Sequence, residues 1–198
     1  MKLPTILEKI LGIHRYATAD DIRNVFGEYH NALHWFAFFL IGDEKLADAC
    51  IVDACSIAQT QTPFFHEWLV HWAARATVQC AFQSQRARIA ELAPGYEQSE
   101  PDQEERPPLA TEYFRLLVTN SEDIHARLDM LCRFVLILRG LAKDSYDEVA
   151  AQLGISRSAV KRAYCIAFDT LDTCLLRTRS SLDQDPHNLL VFERSPAP

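Results

Sequence analysis

The stretch from Ser145 to Leu171, SYDEVAAQLGISRSAVKRAYCIAFDTL, limits what the chain can fold into more than any other part of it. Ser145 followed three residues later by Glu148 is a capping box, in which hydroxyl and carboxylate each satisfy a backbone N–H left over at a helix start. The short helix it opens is predicted to bury Val149, Ala150 and Leu153. It should stop at Gly154, which adopts the left-handed conformation that closes a helix. Ile155 is expected to pack into the turn, and Ser156 to cap a second, longer helix. On that helix Val160, Ala163, Tyr164, Ala167 and Leu171 recur at helical spacing as one apolar stripe. Arg157, Ser158, Lys161, Arg162 and Cys165 fall on the opposite face. Two helices joined by a glycine turn, the second with a basic and short-chained outer face, make a helix-turn-helix pattern. Such a face suits the DNA major groove, where Arg and Lys reach guanine edges or phosphates and serine lets the backbone approach. The plainer alternative is an αα-hairpin whose charges are merely solvated.

A formal net charge of −7 looks unsuited to a DNA binder until it is apportioned. Residues 91–112 hold seven acids (Glu91, Glu97, Glu100, Asp102, Glu104, Glu105 and Glu112) against Arg106 alone, whereas residues 127–179 hold nine bases and six acids. The acidity is thus concentrated in one segment, and the helix-turn-helix neighbourhood is mildly basic, though less so than dedicated nucleic-acid domains. The 198 residues suffice for one medium domain or two small ones, and a hydrophobic fraction of 48% supplies an ordinary core. The six cysteines (Cys50, Cys55, Cys80, Cys132, Cys165 and Cys174) include no C-x-x-C pair. Most fall on apolar helical faces, as small buried hydrophobes do in a reducing compartment, with Cys165 the exception on the polar face. Glu8 and Lys9 interrupt the only N-terminal apolar stretch, so no secretory signal is expected. Ala32–Ile41 is too short to span a bilayer. A soluble, cytoplasmic protein is the expectation.

Along the chain the periodicity is helical throughout, with no βαβ alternation, hairpin dipeptide or repeat, and the predicted fold class is all-α. A short apolar helix is predicted around Ile6, Leu7, Ile10 and Leu11. A long one follows over Ile22–Ile41, capped by Asp20 or Asp21, whose Phe26, Tyr29, Leu33, Phe36 and Leu40 form a stripe that Trp35, Phe38 and Phe39 widen almost to the whole circumference. That much apolar surface is either buried centrally or presented to a partner. Helices over Lys45–Ala58 and Phe64–Arg88 come next, separated by a break at Thr62-Pro63. Glu91–Pro108, with four prolines, one glycine and a run of acids, reads as a flexible linker. Leu109–Val118 and Ser121–Leu141 are predicted helices, with Ser121 as the cap of the second. Four parts result: a helical domain over 1–90, a linker over 91–108, a helix-turn-helix domain over 109–179, and a tail over 180–198.

DSYDEVAAQLGISRSAVKRAYCIAFDTLD resembles region 4 of the sigma-70 superfamily, specifically its extracytoplasmic-function group, in which a leucine-rich helix leads into "sy-x-EIA-x-x-LGIS-x-x-x-VK-x-R". Leu128, Arg133, Val135, Leu138 and Arg139 match the family's lead-in helix. The first half is similar to region 2: Leu33, Gly42, Asp43, Ala47 and Asp48 fit its "L-y-x-x-a-x-x-l-x-GD-x-x-x-AED-l-x-Q-e-x-f" pattern, and Trp68, Leu69, Ala73 and Arg86 fit "WL-x-x-i-A-x-N…R". The resemblance implies two small helical domains, promoter recognition through Arg157, Ser158, Lys161 and Arg162, and core RNA polymerase binding through Asp43, Asp48 and Asp53. The expected partners are core RNA polymerase and promoter DNA, with an anti-sigma factor a further candidate.

The departures from the family pattern are specific. Ala49 and Val52 stand where it places an Asp and a Gln that grip the polymerase clamp helices. Only about a dozen residues bridge the stretch that in the family carries the promoter-melting loop. Arg75 replaces the Asn after the WL motif. Ala163, Ile166, Phe168 and Asp169 replace the arginines that usually follow the VK motif, and Asp169, on the same face as Arg162, would repel phosphate. These changes motivate an alternative: a sigma-like scaffold that binds protein, such as an anti-sigma factor, and no longer initiates transcription. A regulator that uses the helix-turn-helix without polymerase is a third reading.

Motifs for catalysis are wanting. His30 and His34 stand four apart on a helix, a spacing able to bind metal, but no third ligand accompanies them; His66 and His71 do not share a face. No glycine-rich phosphate loop, nucleophile elbow or paired-carboxylate motif is present. No enzymatic activity, cofactor or metal is expected.

Overall fold

The computed structural model describes residues 16–60, 65–97 and 106–184, and over them the fold is all-α; the one β pairing among these residues is an isolated antiparallel bridge between Tyr16 and Phe65. The chain divides into two compact units between Ala87 and Arg88. None of the described helices is long and apolar enough to cross a membrane.

The first unit opens with α1 (Ala19–Glu28), α2 (His30–Ile41) and α3 (Glu44–Thr60). Thr18, not Asp20 or Asp21, caps α1: its hydroxyl accepts from the Asp21 N–H at 3.2 Å while Asp21 accepts from the Thr18 N–H at 2.9 Å. The helix predicted as continuous over 22–41 breaks at Tyr29, whose φ of −99° and ψ of 14° lie outside the helical region. Phe26, Tyr29 and Leu33 keep helical spacing across that break, which hid it despite Gly27 and Glu28 just before it. In α2 Leu33, Ala37, Phe39, Leu40 and Ile41 are buried, while Trp35, half-buried, stacks on Phe39 with ring centroids 5.4 Å apart. Gly42, left-handed at φ 80°, closes α2, and the Asp43 carboxylate then caps α3 by accepting from the Leu46 N–H at 2.9 Å. A one-turn 3-10 helix, His66–Trp68, leads into the long α4 (Leu69–Leu92). Ile22, Phe26, Leu33, Ile51, Ala54, Ala58, Leu69, Ala73 and Ala76 build the core.

The second unit takes over at Arg88 within α4 and continues with α5 (Pro94–Glu97), α6 (Thr111–Thr119), α7 (Ser121–Arg127), α8 (Met130–Val135) running into a π-helical turn (Leu136–Leu141), α9 (Tyr146–Leu153) and α10 (Arg157–Gln184). The first seven residues of the expected linker therefore differ from expectation: they finish α4 and form α5. Ala93 is buried, and the Tyr96 hydroxyl donates to the Asp129 carboxylate and lies 3.2 Å from Cys132 Sγ. Residues 98–105 lie outside the described region, as do the helix predicted around Ile6–Leu11, the Thr62-Pro63 break, and the tail beyond 184.

The helix predicted over Ser121–Leu141 is also two. Asn120 precedes α7 without a side-chain cap, the chain turns extended at Leu128, and Asp129 caps α8 by accepting from the Cys132 N–H at 2.9 Å. Arg133 is buried beside Asp129; burial pushes its guanidinium down to about 10, which still leaves it charged at neutral pH. Around α8 and the π turn, Leu117, Ile124, Leu131, Phe134, Val135 and Leu136 close the core against Val149, Val160, Tyr164 and Leu171.

Candidate nucleic-acid interface

The Ser145 capping box forms in both directions: the Glu148 N–H donates to Ser145 Oγ at 3.2 Å and the Ser145 N–H to Glu148 Oε2 at 2.7 Å. α9 then buries Tyr146, Val149, Ala150 and Leu153 and ends at Gly154, left-handed at φ 66° and ψ 35°. Ile155 follows half-buried, and its N–H reaches back to Ala150 O at 3.2 Å. Ser156 caps α10, accepting from the Ala159 N–H at 3.2 Å. The predicted stripe is the inner face of α10: Val160, Ala163, Tyr164, Ala167 and Leu171 are fully buried.

The four residues expected to read DNA occupy adjoining positions on the first two turns of α10. Arg157 and Ser158 are exposed, and Lys161 and Arg162 half-buried. Arg157 Nε lies 3.2 Å from Asp147 Oδ1, and its guanidinium carbon is 6.0 Å from the Tyr146 ring centre. Ser158 Oγ sits 2.9 Å from Ser156 Oγ. An exposed pair of the Arg157–Asp147 kind contributes about 0–1 kcal/mol, so phosphate competes for that guanidinium at little cost.

Cys165 departs from expectation. It is only 5% exposed rather than part of the open polar face, because a segment distant in sequence covers it. Arg106, the lone base of the acid-rich stretch, hydrogen-bonds toward Cys165, whose thiol burial pushes up. The same guanidinium pairs with Asp169 at 3.1 Å and lies 5.7 Å from the Phe168 ring centre. Asp169, expected to repel phosphate, is paired with a cation.

The backbone behind Arg106 is anchored just as specifically. Tyr146 donates to Arg106 O at 3.2 Å and Tyr164 to Pro107 O at 2.8 Å. Burial raises both phenols, which keeps their donating protons in place. Arg139, one of the lead-in residues of the family pattern, has its guanidinium 4.8 Å from the Tyr146 ring centre and 5.8 Å from that of Tyr164, and donates weakly to Arg106 O at 3.5 Å. Finally the Leu109 N–H bonds Gly140 O at 3.2 Å, and Leu109 fills the space where any Cβ at Gly140 would stand, 2.8 Å from its Cγ. The sequence signals for this strap were slight: one base among acids, two prolines enforcing extended backbone, and a glycine in a leucine-rich helix.

The residues expected to meet polymerase are placed differently. Asp43 is used as the α3 cap, Asp48 lies 3.4 Å from His34 Nε2, and Asp53 is exposed. Steps of five residues turn a helix by about 140°, so the three are spread around α3 and not gathered on one side. Beside these acids and other polar residues α3 also exposes apolar side chains: Leu46, Ala49, Ile57 and, at 65%, Val52. His30 and His34 stack with ring centroids 6.1 Å apart. Among the described residues no three His, Cys, Asp or Glu side chains gather as a metal site requires.

No family model matches the chain, and no curated protein matches it. The resemblance to the sigma-70 superfamily therefore rests on the motif residues themselves.

Proposed function

We propose that the chain is a sigma-factor-like transcription protein that works by binding, not catalysis: its second unit binds promoter DNA through α10, and its first unit binds core RNA polymerase. One observation carries the reading. The left-handed turn at Gly154 joins a capped α9 to an α10 whose inner stripe is fully buried and whose outer first turns hold Arg157, Ser158, Lys161 and Arg162. That is the arrangement a recognition helix needs, since contacts to base edges come from its N-terminal turns. Run-off transcription from a template library with added core polymerase is the direct test. Start-site-specific transcripts that depend on the chain support the reading, and their absence together with failure of core polymerase to co-purify contradicts it.

The exposed Leu46, Ala49, Val52 and Ile57 favour a second reading, a sigma-like scaffold that binds another protein, such as an anti-sigma factor, and does not initiate. Exposed apolar side chains gain from burial against a partner where the family's polar contacts are missing. Under that reading purified chain co-purifies with a protein other than polymerase, and Val52→Asp abolishes the association while leaving duplex affinity unchanged.

A further inference from the structure

Cys50 on α3 and Cys80 on α4 come together inside the first unit. The Cys50 thiol is 5% exposed and donates to Thr77 O at 3.3 Å. Thr77 lies three residues before Cys80, and helix carbonyls point toward the following turn, so this bond sets the Cys50 sulfur alongside Cys80. The two thiols interact, and Cys80 is the more exposed partner. The contact with Cys50 lowers the Cys80 thiol from its ordinary value. Cys50 moves the other way, raised by that same contact and then by burial and by the Cys80 and Asp53 charges. One cysteine is half-buried at the edge of the core and its neighbour is buried. That asymmetry is how an attacking and a resolving cysteine are arranged.

We propose that Cys50 and Cys80 form an oxidisable dithiol, in which Cys80 reacts with a hydroperoxide and Cys50 resolves the product to a disulfide linking α3 to α4. In the first step the Cys80 thiolate attacks one peroxide oxygen: an S–O bond forms, the O–O bond breaks, and hydroxide leaves and takes up a proton. Cys80 becomes a sulfenic acid, oxidised by two electrons as the peroxide is reduced by two. In the second step the Cys50 sulfur attacks the Cys80 sulfur and gives up its proton; the S–S bond forms, the S–O bond breaks, and the departing hydroxide leaves as water. Two thiols and one hydrogen peroxide thus yield one disulfide and two waters. The other buried cysteines have different neighbours. Cys132 lies against the Tyr96 hydroxyl with its thiol pushed up to about 12, Cys165 sits under Arg106, and Cys174 Sγ is 4.0 Å from Asp123.

The test uses the full reduced chain, hydrogen peroxide at neutral pH, alkylation of the remaining thiols and peptide mass spectrometry without reduction. The expected result is loss of two of the six thiols, a linked peptide joining Cys50 to Cys80, full reversal by dithiothreitol and a raised melting temperature of the oxidised form. Cys80→Ala should abolish the link, and Cys50→Ala should leave a Cys80 sulfenic acid that dimedone traps. Oxidation spread over Cys55 and the other cysteines without a Cys50–Cys80 link overturns the proposal. So does a link that forms as readily in chain unfolded by guanidinium chloride. Both of these are read on the unmutated protein, so a variant that fails to fold does not blunt the test.

Discussion

Gly154 and Gly140 are both small for a reason, and the reasons differ enough to be told apart by mutation. At Gly154 nothing lies within 4 Å of where a Cβ would stand, so the only obstacle to a side chain is the left-handed backbone at φ 66°. Gly154→Ala should then cost about 1 kcal/mol, read as a lower denaturant midpoint at unchanged slope. At Gly140 the backbone is ordinary and the space is filled by Leu109, 2.8 Å away. Gly140→Ala should cost about 1–3 kcal/mol through overpacking, and most of that penalty should vanish in a Leu109→Ala background, because the two residues share one space. Additive losses in that double-mutant cycle would mean that Leu109 is not seated there. Gly154 was legible in the sequence because a helix C-terminus is a local pattern. The role of Gly140 was not, since the residue that demands it arrives from 31 positions earlier.

The same distinction governs the elements. The caps at Ser145 and Ser156 and the inner stripe of α10 stand where the sequence placed them, because capping and helical periodicity act over a few residues. The breaks at Tyr29 and Leu128 were missed because apolar residues keep helical spacing across both, Phe26 to Leu33 and Ile124 to Leu131, so that Gly27 and the capping Asp129 did not register as boundaries. The docking of Arg106 was missed because it depends on Tyr146, Tyr164 and Asp169, far along the chain. Two predictions belong to this scale. On α7, burial and then the Arg133 charge hold the His125 imidazole below its ordinary range. The unfolded chain therefore takes up that proton first: the stabilisation is complete above about pH 6.5 and is lost as the pH falls toward the lower folded value. The melting temperature should drop on acidification, and less steeply in His125→Gln; an identical slope in the variant would contradict this assignment. On α10, the Arg106–Asp169 pair is well exposed and should contribute less than about 1 kcal/mol to stability. Its larger effect should be on polyanion binding. Asp169→Asn should raise affinity for any duplex and Arg106→Ala lower it, each by a few-fold and more at low salt, as fluorescence anisotropy would record.

At the scale of the whole molecule, two all-helical units carry two different surfaces. The first exposes apolar side chains along α3, and the second presents the start of α10 with its cluster of Arg157, Ser158, Lys161 and Arg162. The all-α class could be read from the sequence; the division into compact units falls between Ala87 and Arg88, inside α4. The proposed role depends on whether the second surface recognises DNA. The most direct measurement is selection from a random duplex pool by the full chain, with and without core RNA polymerase, followed by titration of the enriched duplex at one fixed salt concentration. A common sequence should emerge, and Lys161→Ala and Arg162→Ala should each weaken its binding by roughly 5- to 150-fold, the equivalent of about 1–3 kcal/mol. A pool that shows no enrichment under either condition, or an affinity that both substitutions leave unchanged, would contradict the account.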